Sequence, residues 1–185
     1  KPIHMKVLFS AEDGRVLGAQ AVGQEGAEKR IDVIAMAIQK HATVFDLEEA
    51  ELCYAPQFGA AKDPVNMAGM IAANVLRGDV PVARWEALPE TEAMVLDVRE
   101  PAEFAAGHVE GAINVPLPQI RDRLNELPRE REIWLYCGVG QRSYYASRIL
   151  LQHGFKVRNM PGGFKTYGHF RPYLSLTPAG VSGQD

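Results

Sequence analysis

The run Tyr136-Cys137-Gly138-Val139-Gly140-Gln141-Arg142-Ser143 holds the residues best suited to covalent chemistry in this chain. A thiol closes the apolar stretch Ile133 to Tyr136; two glycines follow, then an arginine, then a segment with helical character from Ser143. That order sets a sulfur nucleophile among backbone N–H groups at a helix N-terminus, where an anion or a negatively charged sulfur is favoured. Gly138 and Gly140 let the backbone curl until successive N–H groups converge, and Arg142 adds a permanent cation with a forked donor. A free thiol titrates near ~8.5, and a helix N-terminus or a cation lowers that value. The expectation is a thiolate at neutral pH, with Cys137 as nucleophile and Gly138, Val139, Gly140, Gln141 and Arg142 cradling what it binds.

Other polar residues have simpler readings. Asp97 ends a strand, Glu100-Pro101 opens a helix, and His108 follows a helix-capping glycine; with Arg99 they read as cap and turn residues. For His108 to act as a general base it must lie within hydrogen-bond reach of the sulfur. Cys53, in Leu52-Cys53-Tyr54, has neither a glycine ring nor a cation beside it and reads as a buried structural cysteine.

The elements that position the loop follow from spacing. Residues 5–10 and 16–22 are apolar runs joined through Asp13-Gly14, a hairpin signal. A helix follows Gly26 with Ile31, Ile34, Ala35 and Ile38 on one face; Val33, Met36 and Ala37 make the other face apolar, which predicts burial on two sides. Asp63-Pro64 predicts an N-cap with proline at the first helical position, and Gly78 ends that helix. Residues 80–92 read as a linker after a first domain of residues 1–79. Beyond it strand and helix alternate: strands at 93–97, 113–115, 133–136 and 156–160, helices at 101–106 and 143–153, and an amphipathic helix through Leu117, Ile120, Leu124 and Leu127 that stops at Pro128. Such alternation predicts a parallel sheet flanked by helices, with reactive loops at the C-terminal strand ends. The second domain is expected at 93–175, with a tail at 176–185.

Composition narrows the function. At 185 residues and 46% hydrophobic, the chain has enough apolar mass for one core or two small ones. Residues 1–79 carry 8 basic and 11 acidic groups and residues 80–185 carry 12 of each, so neither half has the basic excess of a nucleic-acid binder. No apolar run approaches the roughly 20 residues of a membrane span. Two cysteines make no disulfide framework, so the expected setting is cytoplasmic and reducing. No metal-ligand cluster is read from the sequence. The chain begins at Lys1, not at a methionine, and a strand follows almost at once, as in a fragment of a longer protein.

Residues 93–170 resemble a rhodanese (sulfurtransferase) domain. The likeness is carried by Leu96-Asp97-Val98-Arg99-Glu100-Pro101-Ala102-Glu103-Phe104, by Gly107-His108-Val109-Glu110-Gly111-Ala112-Ile113-Asn114-Val115-Pro116, by the Cys137–Arg142 loop and by Pro161-Gly162-Gly163. The spacing Cys-x4-Arg is similar to that of sulfurtransferases; related phosphatases use the longer Cys-x5-Arg. The resemblance implies that Cys137 carries a sulfane sulfur as a persulfide. With Arg142 as its one basic residue, the loop suits a thiol persulfide or polysulfide better than a doubly charged small anion. Residues 5–78 resemble the dimerisation domain of the FAD-dependent pyridine nucleotide–disulfide oxidoreductases, through Val16 to Gly23, Arg30 to Ile34, Tyr54-Ala55-Pro56-Gln57-Phe58-Gly59 and Lys62-Asp63-Pro64-Val65-Asn66. The last two are similar to the coenzyme A-disulfide reductase and NADH oxidase branch, which includes fusions to a C-terminal rhodanese domain and NADH-dependent persulfide reductases. The implied fold is an α+β dimerisation domain followed by an α/β rhodanese-like domain. The implied whole enzyme is a homodimer that binds FAD, NAD(P)H and coenzyme A, takes sulfur from a sulfane-sulfur donor and passes it to a coenzyme A-type thiol. No Gly-x-Gly-x-x-Gly occurs here, so no cofactor is expected on this segment itself. Tyr54 matches a tyrosine that approaches the coenzyme A sulfur in that family; it also reads as a packed interface tyrosine. Two other readings stand beside this one: a non-catalytic dimerisation or binding fragment, and a phosphatase-like hydrolase.

Overall fold

The computed structural model describes residues 2–174 and divides into two compact units, Lys1–Asp79 and Val80–Asp185. The expected tail at 176–185 lies outside the described residues.

In the first unit β1 (Ile3–Phe9) and β2 (Val16–Gly23) pair antiparallel, from Ile3 opposite Gly23 to Phe9 opposite Val16, with a register irregularity at Leu8/Phe9. Gly14 turns the chain at a φ of 74°. Helices α1 (Ala27–Gln39), α2 (Val44–Glu49) and α3 (Pro64–Leu76) close a core of Val16, Ile34, Val44, Leu47, Val65, Ala72 and Ala73. Asp63 caps α3 by accepting from the Val65 N–H at 3.0 Å. Its carboxylate also pairs with Arg30 of α1 at 2.7 Å, with the two side chains 9% and 13% exposed. A buried pair of this kind is costly to break from one side only, so it ties α1 to the start of α3. Within the single chain α1 buries Arg30 and Ile34, packs Val33, Ala37 and Ile38 partly against the core, and leaves Met36 exposed. Helix α2 went unpredicted, although Thr43 and Asp46 form a capping box at its start.

The second unit is built on a parallel sheet in the order β4-β3-β5-β6, flanked by helices as the alternation predicts. The strands are β3 (Met94–Asp97), β4 (Ile113–Asn114), β5 (Ile133–Tyr136) and β6 (Val157–Asn159). Both central strands are buried throughout, the mark of a parallel sheet covered on two faces. Side-chain alternation sends Leu96, Ile133 and Leu135 to a cluster with α5 (Gln141–Gln152), and Val95, Trp134 and Tyr136 to one with Trp85 and Tyr167. Helix α4 (Pro101–Ala106) follows β3, and α6 (Gly163–Leu174) follows β6 without having been foreseen.

Two expectations are corrected here. Residues 80–92 are not a loose linker: Val82 bridges to Asn159 beside β6, and Trp85, 2% exposed, donates its indole N–H to the Pro161 carbonyl at 2.8 Å. The expected α-helix through Leu117 to Leu127 is two short 3-10 turns, Leu117–Gln119 and Leu124–Glu126. Prolines at 116, 118 and 128 leave too few residues to repay helix nucleation, and 3-10 turns seat Ile120 and Leu127 in the core with the same spacing.

Candidate active site

Cys137 leaves β5 at the C-terminal edge of the sheet and is 1% exposed. Gly140, at a φ of 110°, ends the loop and is the N-cap residue of α5, which starts at Gln141, two residues before the expected Ser143. The amide N–H of Gly140 donates to Cys137 Sγ at 3.1 Å, and the Ser143 hydroxyl lies 3.6 Å from it. That hydroxyl is also 3.0 Å from the Gly140 carbonyl, so its one hydrogen serves whichever acceptor is the more negative. Burial pushes the Cys137 thiol up, but the Ser143 amide and hydroxyl and the Val139 and Gly140 amides outweigh it, leaving the thiol below its ordinary value.

Helix α6 helps to aim the Val139 amide. The Phe164 N–H donates to the Cys137 carbonyl at 2.7 Å and the Lys165 N–H to the Gly138 carbonyl at 3.1 Å. Because a trans peptide sets C=O and N–H on opposite sides, holding these carbonyls toward α6 turns the Gly138 and Val139 N–H groups away from it. The approach is close. Gly163 sits at a φ of 59°, and a Cβ there would run into the Cys137 carbonyl and the Gly138–Val139 backbone.

Arg142 does not spend its charge on the sulfur alone. Its guanidinium forms a bidentate pair with Glu103 of α4, at 2.6 and 2.8 Å. Glu103 is the first cause that pushes Arg142 up, with the sulfur behind it. The Arg142 hydrogen bonds in turn hold the Glu103 carboxyl at about 2. Glu103 also accepts from the Glu100 N–H at 3.1 Å, closing the capping box of α4.

The sequence singled out the loop but not Glu103, Ser143 or Gly163 as separate contributors. For Glu103 the available signal is the Glu-x-x-Glu spacing of a capping box. Of the loop residues, Val139 is 64% exposed at the rim, and the Gln141 side chain donates to the Tyr145 hydroxyl at 3.2 Å along α5. Asp97 and Arg99 form a buried ion pair at 2.6 Å; Arg99 also donates to the Gly107 carbonyl and lies 4.1 Å over the Phe164 ring. His108 stacks on Phe104 with centroids 3.9 Å apart, and its Nδ1 lies 3.0 Å from the Phe104 carbonyl. Its contacts are those of a capping side chain. In the first unit Tyr54 is exposed in the irregular stretch before α3, and Cys53 beside it is exposed, correcting the expectation of burial. No regular element covers that stretch.

Among the described residues no group of three or more His, Cys, Asp or Glu side chains could hold a metal, and no helix is long and apolar enough to cross a membrane. The glycine-bearing turn that joins β5 to α5 is closed around the sulfur, which does not fit the pyrophosphate of a dinucleotide.

A model of the rhodanese-like domain matches residues 83–169, and one of the pyridine nucleotide-disulphide oxidoreductase dimerisation domain matches residues 1–64. The reduced Bacillus anthracis protein CoADR-RHD is 44% identical with a TM-score of 0.89, over 94% of this chain and 32% of that one. A NAD-dependent persulfide reductase from A. fulgidus is 37% identical with a TM-score of 0.78, over 89% of this chain and 30% of that one. The coenzyme A disulfide reductase of Staphylococcus epidermidis is 46% identical over 68 residues, 37% of this chain and 16% of its own length. The chain thus spans less than a third of each of these relatives.

Proposed function

We propose, since residues 1–64 belong to the pyridine nucleotide-disulphide oxidoreductase dimerisation family and residues 83–169 to the rhodanese-like family, that the second unit transfers sulfane sulfur through Cys137. The observation that carries this is the sulfur itself, buried at the end of β5 yet receiving the Gly140 amide at 3.1 Å and depressed in pKa. A structural thiol in an apolar core is pushed the other way.

The step balances without an oxidant. The Cys137 thiolate attacks the outer sulfur of a thiol persulfide, R–S–SH; the S–S bond of the donor breaks, R–S⁻ leaves, and Cys137–S–SH forms. That persulfide loses its proton readily, and the loop amide groups meet the terminal charge. A second thiolate, of the coenzyme A type, then attacks the terminal sulfur and restores Cys137. The pairing of Arg142 with Glu103 favours a thiol persulfide or polysulfide over a small dianion. In place of a free cation, a dianion meets one whose charge is already matched.

We place this unit, as the family resemblance implies, in a homodimeric, cytoplasmic reductase that uses FAD, NAD(P)H and coenzyme A and acts on coenzyme A-disulfide, persulfide or polysulfide. The first unit supplies the pairing surface, and Tyr54, exposed on its irregular stretch, is the residue to face a coenzyme A sulfur.

Intact mass after exposure to glutathione persulfide tests the reading. A gain of one sulfur on the peptide that contains Cys137, absent from Cys137→Ser, is the expected result. No gain, or an equal gain in the serine variant, overturns it.

A further inference from the structure

The second unit holds a buried ion pair that the sulfur chemistry above does not use. Asp97 is fully buried and Arg99 is 4% exposed. The Arg99 guanidinium spans both Asp97 carboxylate oxygens at 2.6 to 3.0 Å and donates to the Gly107 carbonyl at 2.7 Å. The Asn114 side-chain amide donates to the Asp97 and Arg99 carbonyls at 3.0 and 2.9 Å, so the backbone that carries the pair is held as well. A buried ion pair adds little net stability over apolar side chains of the same volume. Stability alone therefore does not account for it.

What the pair adds is a held cation beneath an aromatic ring. The guanidinium carbon lies 4.1 Å from the centroid of the Phe164 ring and 5.6 Å from that of Tyr136. The far end of the Phe164 ring lies against Gly107, where a Cβ would meet it at 3.5 Å. Tyr136 stacks on Phe164 with centroids 6.2 Å apart, and its hydroxyl accepts the Val109 N–H at 3.1 Å. A cation, a glycine and a second ring thus seat Phe164, and the backbone of Phe164 reaches the loop. Its N–H donates to the Cys137 carbonyl at 2.7 Å, and the next N–H, of Lys165, to the Gly138 carbonyl at 3.1 Å. The Val139 N–H, on the opposite side of that last peptide, is among the groups that lower the Cys137 thiol. Arg99 bears on α4 as well, for its charge is one of those that hold the Glu103 carboxyl low.

We infer that Arg99 is a positioning residue for Cys137: held by Asp97, it seats the Phe164 ring, and through that ring the start of α6 keeps the loop carbonyls turned from the sulfur and the Val139 amide turned to it. The inference rests on the sulfur-transfer reading for its purpose and adds to it a residue that acts through another.

Alkylation by iodoacetamide in the full 185-residue chain tests this, followed on the peptide that contains Cys137 because Cys53 is exposed too. Phe164→Leu keeps the amide and the Arg99–Asp97 pair and removes the ring; Arg99→Lys keeps the charge and removes the planar fork. Each is expected to raise the pH midpoint of alkylation and to slow sulfur loading from glutathione persulfide about fivefold in folded protein, the size of one lost cation–π contact. Combined, the two should be no worse than the stronger single variant, since both break one link. The charged groups beside the sulfur, Arg142 on α5 and its partner Glu103 on α4, are the same in every variant. Leu127→Ala truncates a core side chain of the same unit and should lower its unfolding midpoint while the alkylation midpoint stays in place. An unmoved alkylation midpoint in Phe164→Leu, additive losses in the combined variant, or an equal shift in Leu127→Ala overturns the inference. If Arg99→Lys does not fold, Phe164→Leu decides alone. An original chain that takes up no sulfur, with alkylation midpoints that still move, removes the sulfur-transfer reading and leaves the positioning of the thiolate standing. Sulfur uptake at the original rate in Phe164→Leu, with its midpoint unmoved, removes Arg99 and leaves the transfer reading intact.

Discussion

Arg142 and Glu103 meet through two hydrogen bonds of 2.6 and 2.8 Å, so the cation of the Cys137 loop has a carboxylate matched to it before any substrate arrives. Glu103→Gln keeps the shape and the capping contact to the Glu100 N–H but removes the negative charge. We expect its sulfur transfer from thiosulfate to rise several-fold relative to transfer from a thiol persulfide, measured as the ratio of the two rates. An unchanged ratio would remove Glu103 from donor selection. The Glu103 carboxyl is depressed to about 2. By linkage its contribution is present above the unfolded carboxylate value and lost only as pH falls through the folded one, so the pair persists through mildly acidic solution. The Cys137 thiol is depressed as well, and its thiolate population is likewise kept above the folded pKa and lost below it. Its reaction with a small alkylating reagent should reach half its maximal rate below the pH of a free thiol. Ser143→Ala deletes one of the groups that lower it and should move that midpoint upward. A midpoint that stays put would assign the shift to the backbone amides alone.

Helix α6 acts on the loop from outside. Its first N–H groups take the Cys137 and Gly138 carbonyls, and this is possible because Gly163 has no side chain to strike the loop backbone. Gly163→Ala forces a residue with a Cβ into a left-handed conformation and into that contact. We expect a loss of about 2 kcal/mol or more in denaturant unfolding of the second unit, together with slower loading of Cys137. A variant that unfolds normally and loads at the original rate would show that α6 does not aim the amides. The loop was legible in the sequence because Cys137 to Arg142 are contiguous, and a thiol followed by two glycines and an arginine has few structural uses. Glu103 and Gly163 were not read as part of the site because they enter it from α4 and α6, and only the packed sheet brings them to the loop. The stretch from Leu117 to Leu127 was misread for another reason: spacings of three and four suit both helix types, and the prolines around it favour the shorter. The six residues of α2 were too few for apolar periodicity to declare, although the Thr43–Asp46 box marks their start.

Strand–helix alternation made the parallel sheet readable at the scale of the whole chain, while the first unit was read from its hairpin turn and from the Asp63-Pro64 start of α3. What the sequence could not say is which apolar faces the unit leaves uncovered. In the single chain Val22 of β2 is 72% exposed, Met36 of α1 55% and Ile71 of α3 61%. Apolar side chains left bare on three separate elements suit a surface that another copy covers. If the first unit pairs in this way, a charge on that surface must be desolvated on pairing, which costs several kcal/mol. Ile71→Glu and Met36→Glu are therefore expected to shift the chain toward monomer in sedimentation at a concentration where the original chain is dimeric. Neither residue lies in the core of its unit, so the melting of an isolated monomer should change little. Sulfur loading of Cys137, whose bonding partners among the described residues lie in the second unit, should proceed at the original rate in both variants. A monomeric original chain would remove the pairing surface from the first unit. Loading that falls with dimer dissociation would show that the sulfur site depends on the second copy.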